Sequence, residues 1–318
     1  MALALLRTLR LAAREAFAPH ALARTPEPSQ AMATHDEVSS FHEAGEHSLI
    51  PVYHFNALAV AALAPRGARV LDLGCGSGQF LSYLARRRPD LELIGLELST
   101  EMIRVGQENL ARNRLSERVR LEHGDMRRFA RSLRGPVDVV TSIFSLHHLR
   151  TRADLLACLA DIEELLRRCA SNLWLFDFVR PRQLKTAHEV PLLFTPTASV
   201  AFHHASRDSL CAAWGYEEMK CALAASMPRR LEAERSRILP LYQAHWHQQR
   251  NAVPAESLWH PADDLPAQTR REVAIFPRLF RAGPHRSATG TPHGPRRGSR
   301  GEGHAAPPEV APTRERAL

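Results

Sequence analysis

Residues 70–80, VLDLGCGSGQF, place three glycines in five positions directly behind a short apolar run. Glycine is entropically costly inside regular structure. A cluster of it at a strand end therefore asks for a sharp turn whose backbone comes close to something. The spacing excludes two phosphate-binding turns. A G-x-G-x-x-G fingerprint needs its third glycine at position 79 or 81, where Gln79 and Leu81 stand. A P-loop ends in Gly-Lys-Ser/Thr, and the only lysines of the chain are Lys185 and Lys220. What remains is acid-x-Gly-x-Gly-x-Gly, with Asp72 two residues ahead of Gly74. A carboxylate there repels a pyrophosphate and suits a ligand carrying positive charge. An ordinary glycine turn of an α/β unit is the competing reading.

The flanking sequence supplies the alternation such a turn needs. A helix is expected through residue 64, ending before Pro65, and a buried strand over 70–73. A helix over 79–87 stops at Pro89, and LELIGLEL (91–98) alternates as a strand. Ser99 is placed to cap a helix over 100–112. Strands follow over 118–123 and 137–144, and Thr151 caps a helix whose Leu155, Leu159, Ile162 and Leu166 form one apolar face. NLWLFDF (172–178) is a fifth strand, 207–225 is helical, and 237–246 is a last strand, with Pro240 favouring an edge position or a bulge. The expected fold class is α/β: a Rossmann-like doubly wound sheet, mostly parallel, with an antiparallel edge strand and helices on both faces. Residues 1–48 read as an N-terminal helix and a linker or cover, and 49–250 as the α/β domain. Residues 251–318 read as an extension whose order decays, disordered from about 281, where six glycines and six prolines accumulate. Cys158, Cys169 and Trp174 read as core, and Arg86-Arg87-Arg88 as a solvated helix end.

Composition narrows the partners. The net charge of +8 could suggest nucleic acid. The segment from residue 281 alone carries seven arginines against three glutamates, however, and no basic run is interleaved with aromatics. Nucleic acid is not the expected partner. No segment reaches the eighteen or so apolar residues of a membrane span. The arginine-rich start reads as a short amphipathic helix; a presequence is the alternative, but it lacks serine. Five cysteines, an odd number without a C-x-x-C pair, point to reduced thiols and a cytoplasmic location.

In an open α/β sheet, ligands sit at the carboxyl ends of the strands. There the sequence places Asp72, then Glu97, Asp125 and Ser142 after successive strands. Glu97 can accept two ribose hydroxyls, Asp125 an exocyclic amine, and Asp72 can face an ammonium or sulfonium. Jointly they describe a cofactor with an adenine, a ribose, a cationic amino-acid end and no phosphates. VLDLGCGSG, GLELSTEMI, GDM and VDVVTSIFSLHHL resemble the motifs of the class I S-adenosylmethionine-dependent methyltransferases, clearly over about residues 50–180 and weakly to about 248.

The resemblance implies S-adenosyl-L-methionine as cofactor. Asp72 and Gly74 would hold its methionine end, and Cys75, Gly76 and Gly78 would belong to the loop beneath. Glu97 would bind the ribose, with Leu98 and Met102 against the adenine. Asp125 and Met126 would line the adenine edge, and Ser142 would contribute its backbone. Thr141-Ser142-Ile143-Phe144 replaces the Asn/Asp-Pro-Pro-aromatic stretch of many base and amide methylating enzymes, which favours a small-molecule acceptor. The alternatives are RNA or protein methylation, or a cofactor-binding interaction module of low activity. His147 and His148 are candidate general bases, with packing of the strand end as the competing reading. Tyr53, His54, Phe144 and Phe202 are candidate acceptor contacts. The pairs His203-His204 and His245/His247 lack a carboxylate at ligand spacing, so no metal is expected.

Overall fold

The computed structural model describes residues 2–18, 22–29, 38–39, 42, 48–249, 258–281 and 284. Helix α1 (Ala2–Ala16) precedes α2 (Ile50–Leu63). Strands and helices then alternate: β1 (Arg69–Leu73), α3 (Gln79–Arg87), β2 (Glu92–Glu97), α4 (Thr100–Arg112), β3 (Val119–His123), β4 (Val139–Ile143), α5 (Arg152–Cys169) and β5 (Asn172–Phe178). Three helices follow, α6 (Leu184–Phe194), α7 (Val200–Ala212) and α8 (Tyr216–Ser226). The hairpin β6 (Glu232–Arg235) and β7 (Tyr242–His247) comes next, and then α9 (Ala267–Ile275).

The sheet order is β3-β2-β1-β4-β5-β7-β6. The first five strands are parallel, with Asp72 in register with Gly95 on one side and Thr141 on the other. Strand β7 runs antiparallel to both β5 and β6. Alternate residues of each strand feed two cores, as the pleat requires. Val70, Leu93, Val139, Trp174 and Phe176 pack with α2, α3 and α4. Leu71, Ile94, Val140, Leu173 and Leu175 pack with α5 and α8 on the opposite face. The helices of both faces are thus fixed by the strand pattern.

Local signals act as the sequence suggests. The Ser99 hydroxyl accepts from the Met102 amide at 3.2 Å, and Thr151 with Asp154 closes a reciprocal capping box. Trp174 is fully buried, its indole N–H donating to Asn56 Oδ1 at 2.7 Å.

Several expectations are corrected. The 237–246 stretch becomes strand only at Tyr242, because the Ser236 hydroxyl reverses the chain, donating to the Leu239 carbonyl and accepting from the Leu241 and Tyr242 amides. The sheet edge is β6, a short polar strand (EAER) without hydrophobic alternation, as edges that resist further pairing often are. The helical stretch over 207–225 is two helices parted at Ala213–Gly215, and α6 was not anticipated.

Arg87 and Arg88 are not solvated: they are 4% and 0% exposed. Arg88 donates to the carbonyls of Ala61, Ala64 and Pro65 and forks onto Asp90, joining the end of α2 to the end of α3. Arg87 reaches Asp264 at 2.7 Å and the Pro261 carbonyl at 2.8 Å. Order therefore does not simply decay from residue 251. Residues 258–281 fold against α2, and Phe280, fully buried, stacks on Phe55 with ring centroids 4.7 Å apart. Residues 285–318, expected to be disordered, lie outside the described residues.

Candidate active site

The strand order reverses between β1 and β4, so the chain leaves their carboxyl ends in opposite directions and opens a crevice there. Leaving β1, the backbone turns through positive φ at Gly74 (+70°), Gly76 (+55°) and Gly78 (+68°). The Gly74 amide bonds to the Leu96 carbonyl at 2.8 Å, and a Cβ on Gly74 would run into the Ser145 side chain. Only glycine supports both the left-handed turn and that approach. The cleft so formed is lined by the loop, by the end of β2, by Asp125 to Arg127 and by Ile143 to Ser145.

At its base lies Asp72, 2% exposed. Its carboxylate accepts from the Thr141 hydroxyl at 2.6 Å, and among the described residues no cation pairs with it. Burial pushes its pKa up; the Thr141 bond opposes and the Glu97 charge adds, leaving it at about 7. A buried carboxylate in this state is completed by a positively charged ligand. Glu97 faces it across the cleft, accepting from the Gly76 amide at 2.9 Å and from the Leu98 and Ser99 amides at 2.8 Å each. Three of its roughly four acceptor positions are thereby used, and the one left, on Oε2, is open to a further donor.

Asp72, Gly74, Cys75, Gly76, Glu97, Leu98, Met102, Asp125 and Met126 all line the cleft, as the reading of the motifs expects. Gly78 and Ser142 do not. Gly78 caps α3, and Ser142 is fully buried, its hydroxyl 2.5 Å from that of Ser145. Ser145, which in turn donates to the Leu73 carbonyl at 2.6 Å, is the serine that reaches the cleft. Sequence reasoning missed it, because the turn at Phe144 (φ +54°) that brings it round is not announced by a glycine. Arg127 was missed too. It forks onto Asp125, with Nη2 at 2.7 Å from Oδ2, and also reaches Asp154 at 2.7 Å. This ion pair holds the Asp125 carboxyl below its usual range. Cys75 is buried, and burial together with the Glu97 and Asp72 charges raises its thiol pKa well above the usual value, which leaves it unreactive.

The expected acceptor contacts separate. Tyr53 and Phe144 line the cleft. Phe144 stacks on Phe178 with centroids 4.3 Å apart. His54 does not line it: its Nδ1 meets the Tyr83 hydroxyl at 2.8 Å and its ring packs edge-on to Trp259. Nor does Phe202, which is buried within α7. Neighbouring helical residues point about 100° apart, which sends Tyr53 and His54 to different sides of α2, and adjacency in sequence concealed it. His42 reaches the glycine loop: its Nδ1 lies 3.0 Å from the Ser77 hydroxyl, and its carbonyl accepts from the Gln79 side chain.

The two histidines also differ. His147 is 2% exposed and does not line the cleft; Asp177 accepts from its backbone amide at 3.0 Å and meets its Nδ1 at 2.7 Å. The base role is corrected for His147, which the geometry holds away from an acceptor. His148 lines the cleft and forms an ion pair with Glu27, at 2.7 Å. Burial disfavours the imidazolium, but Glu27 outweighs it and raises the His148 pKa. Glu27 itself, for which burial works the other way, is drawn down to about 2 by His148, His147 and Ser209.

This sheet order, glycine turn and pair of carboxylates agree with the resemblance to class I S-adenosylmethionine-dependent methyltransferases. Residues 70–169 match the family model described as Methyltransferase domain. The chain is 41% identical over 112 residues to dTDP-3-amino-3,6-dideoxy-alpha-D-glucopyranose N,N-dimethyltransferase of Streptomyces fradiae, a match covering 34% of this chain and 40% of that protein. It is 32% identical over 89 residues to the ubiquinone biosynthesis O-methyltransferase of Psychrobacter cryohalolentis, covering 28% of this chain and 34% of that one. The chain thus spans well under half the length of these relatives. Among solved structures, the plantazolicin methyltransferase BpumL, in complex with SAH, superposes with a TM-score of 0.51 at 16% identity, covering 76% of this chain and 95% of that one. That likeness is one of fold.

Proposed function

We propose that the protein binds S-adenosyl-L-methionine in this cleft and catalyses transfer of its methyl group to a small-molecule acceptor. The observation that carries the reading is Asp72: a buried carboxylate, without a cationic partner among the described residues, at the base of a glycine-lined cleft opposite a second carboxylate. The residues fit the cofactor. Asp72 and the Gly74 turn would receive its ammonium end, Glu97 its ribose hydroxyls, and Leu98, Met102 and Met126 its adenine, with Asp125 at the adenine edge. Gly78 and Ser142 would act from behind, by shaping the loop and by holding Ser145. The bound cofactor would supply a methyl group on a sulfonium, which leaves as a neutral thioether when an acceptor lone pair forms the new bond to carbon. The protein's part is positioning and exclusion of water. Tyr53 and Phe144 would hold the acceptor in line, and the N-terminal segment at His42 would close over the loop.

A small acceptor is favoured by the narrow, partly aromatic mouth and by the small-molecule methylation named for the two curated relatives. No helix among the described residues is long and apolar enough to cross a membrane. The free cysteines suit a cytoplasmic location. Calorimetry with S-adenosyl-L-methionine and its demethylated product tests the cofactor assignment: wild type binds both, and preferential binding of NAD refutes it. Incubation of methyl-labelled cofactor with a small-metabolite extract, against total RNA and protein as separate arms, tests the acceptor class. Label in a small metabolite is the expected result; label only in RNA or protein overturns the small-molecule reading.

A further inference from the structure

We propose that Glu27, His147 and His148 form a binding site for one divalent transition-metal ion at the mouth of the cleft. Their donor atoms, one from each side chain, lie within 4.8 Å of one another. Nothing in the sequence spacing announces the group. Glu27 arrives on the N-terminal segment, while the two histidines sit on the turn after β4.

The geometry prepares each side chain as a ligand. Asp177, itself buried, engages Nδ1 of His147 at 2.7 Å and so assigns the ring proton to that nitrogen. Nε2 is left with its lone pair facing Glu27 Oε1 at 3.7 Å, too far for a hydrogen bond. A carboxylate behind a histidine in this way is the usual outer support of a metal-ligating imidazole. Ser209 donates to Glu27 Oε1 at 2.7 Å and fixes that carboxylate. His148 Nδ1 lies 2.7 Å from Glu27 Oε2 without the alignment of a hydrogen bond. With metal–nitrogen bonds of about 2.0–2.1 Å, ligand atoms sit about 3.3 Å apart, so adjustments of about 1 Å would let the three atoms share one ion.

Charge points the same way. Glu27 and Asp177 bring two negative charges into a largely buried space. Arg24 supplies one positive charge, although its guanidinium donates to the carbonyls of His147, Leu149, Arg150 and Ala212 and lies over the Trp214 ring. Arg180, the other neighbouring cation, forks onto Glu218. One negative charge is left, and that excess favours a bound cation between the three side chains. Two imidazoles and one carboxylate suit zinc, iron(II), cobalt(II) or manganese(II) better than magnesium or calcium. Three protein ligands leave coordination positions open, and His148 puts them at the cleft wall, where an oxygen donor of an acceptor, or water, would complete the shell.

The test uses the full chain, stripped with chelator and desalted, then titrated with zinc(II) and separately with cobalt(II). Its readouts are metal content by mass spectrometry and the cobalt absorption spectrum, which need neither acceptor nor turnover and so stand apart from the methyl-transfer reading. One ion per chain is expected, with cobalt bands of a four- or five-coordinate nitrogen–oxygen site. Glu27→Gln, which keeps the side-chain shape, and His148→Ala should each weaken binding at least tenfold, with circular dichroism showing the folded state. The double change His203→Ala/His204→Ala should leave it unchanged. Should one variant fail to fold, the other carries the test, because each removes one ligand. Absence of stoichiometric binding by the wild type overturns the proposal. So does binding that survives Glu27→Gln or His148→Ala in the folded chain.

Discussion

The two sides of the sheet are assembled differently. On the β1–β2–β3–β4 side, each wall of the cleft comes from the few residues that follow one strand. Some of the contacts that fix it are short in sequence, such as Glu97 on the amides of Leu98 and Ser99 or Arg127 on Asp125, and others join neighbouring strand ends, such as Thr141 on Asp72. On the β5–β7–β6 side, distant segments are tied together. Arg24 binds carbonyls of residues 147, 149, 150 and 212, and Arg180 the carbonyl of Leu22. Glu15 accepts from the Arg182 amide and the Thr186 hydroxyl, and Phe280 closes on Phe55. A cofactor common to many proteins can be held by a self-contained unit, while an acceptor particular to one protein is enclosed by whatever the rest of the chain folds over it. The first side should therefore fail by losing cofactor, and the second by losing stability or turnover with the cofactor still bound.

The largest effect is expected far from the cofactor. Phe280→Ala should cost about 3 to 5 kcal/mol of stability, as for other buried aromatics cut to alanine, while the affinity for S-adenosyl-L-methionine holds in the folded protein. Chemical denaturation and calorimetry measure the two. Truncation after residue 257 should destabilise at least as much, and truncation after residue 284 hardly at all. A loss of cofactor affinity in folded Phe280→Ala would break the division between the two sides.

On the other side, Glu97→Ala would remove the hydrogen bonding proposed for the cofactor ribose and free the amides of Gly76, Leu98 and Ser99. A binding loss of about 2 to 4 kcal/mol is expected. Unchanged affinity would mean that the carboxylate serves only the loop.

Tyr53→Ala and Phe144→Ala sharpen the comparison at the boundary. Each should lower turnover of the acceptor at least tenfold, about 1.4 kcal/mol of transition-state stabilisation. His54→Ala, directed at Tyr83 and Trp259, should leave turnover near wild type and lower the melting temperature instead. Equal kinetic effects of Tyr53→Ala and His54→Ala would refute the placement of the acceptor.

The smallest effect is one of pH. Asp72 titrates at about 7 in the unliganded protein. Its pKa is raised above the unfolded value, so the stability it contributes is present below about pH 4 and is lost as pH rises through 7. A cationic ligand needs the ionised form, so binding must expel a proton below that point. Affinity should fall by up to tenfold per unit as pH drops below 7, about 1.4 kcal/mol per unit, and the cofactor-induced rise in melting temperature should be larger at pH 8 than at pH 6. Asp72→Asn should bind weakly and lose the dependence. A flat profile in the wild type would place the titrating group elsewhere.

The sheet's parallel half and most of the cofactor wall were legible in the sequence. VLDLGCGSG fixes a strand, a left-handed turn and a helix start within nine residues, and the acids of β1, β2 and the GDM turn follow from strand ends alone. Ser99 and Thr151 announced the starts of α4 and α5 because an N-cap is a contact over three residues. Signals fail where a side chain's surroundings come from elsewhere. Arg87 and Arg88 look solvated until Asp264 and the carbonyls ending α2 are brought to them. The polar EAER edge carries no apolar alternation, since it needs none.

The sequence by itself determined the alternation of strands and helices from β1 to β5, the glycine turn and the type of cofactor chemistry, because each rests largely on local patterns of residues. Only the tertiary structure decided which of Tyr53 and His54 faces the cleft, that Ser145 rather than Ser142 reaches it, and that Glu27 closes on the two histidines. Those outcomes depend on which segments pack against one another from opposite ends of the chain, and no local pattern of side chains encodes the meeting.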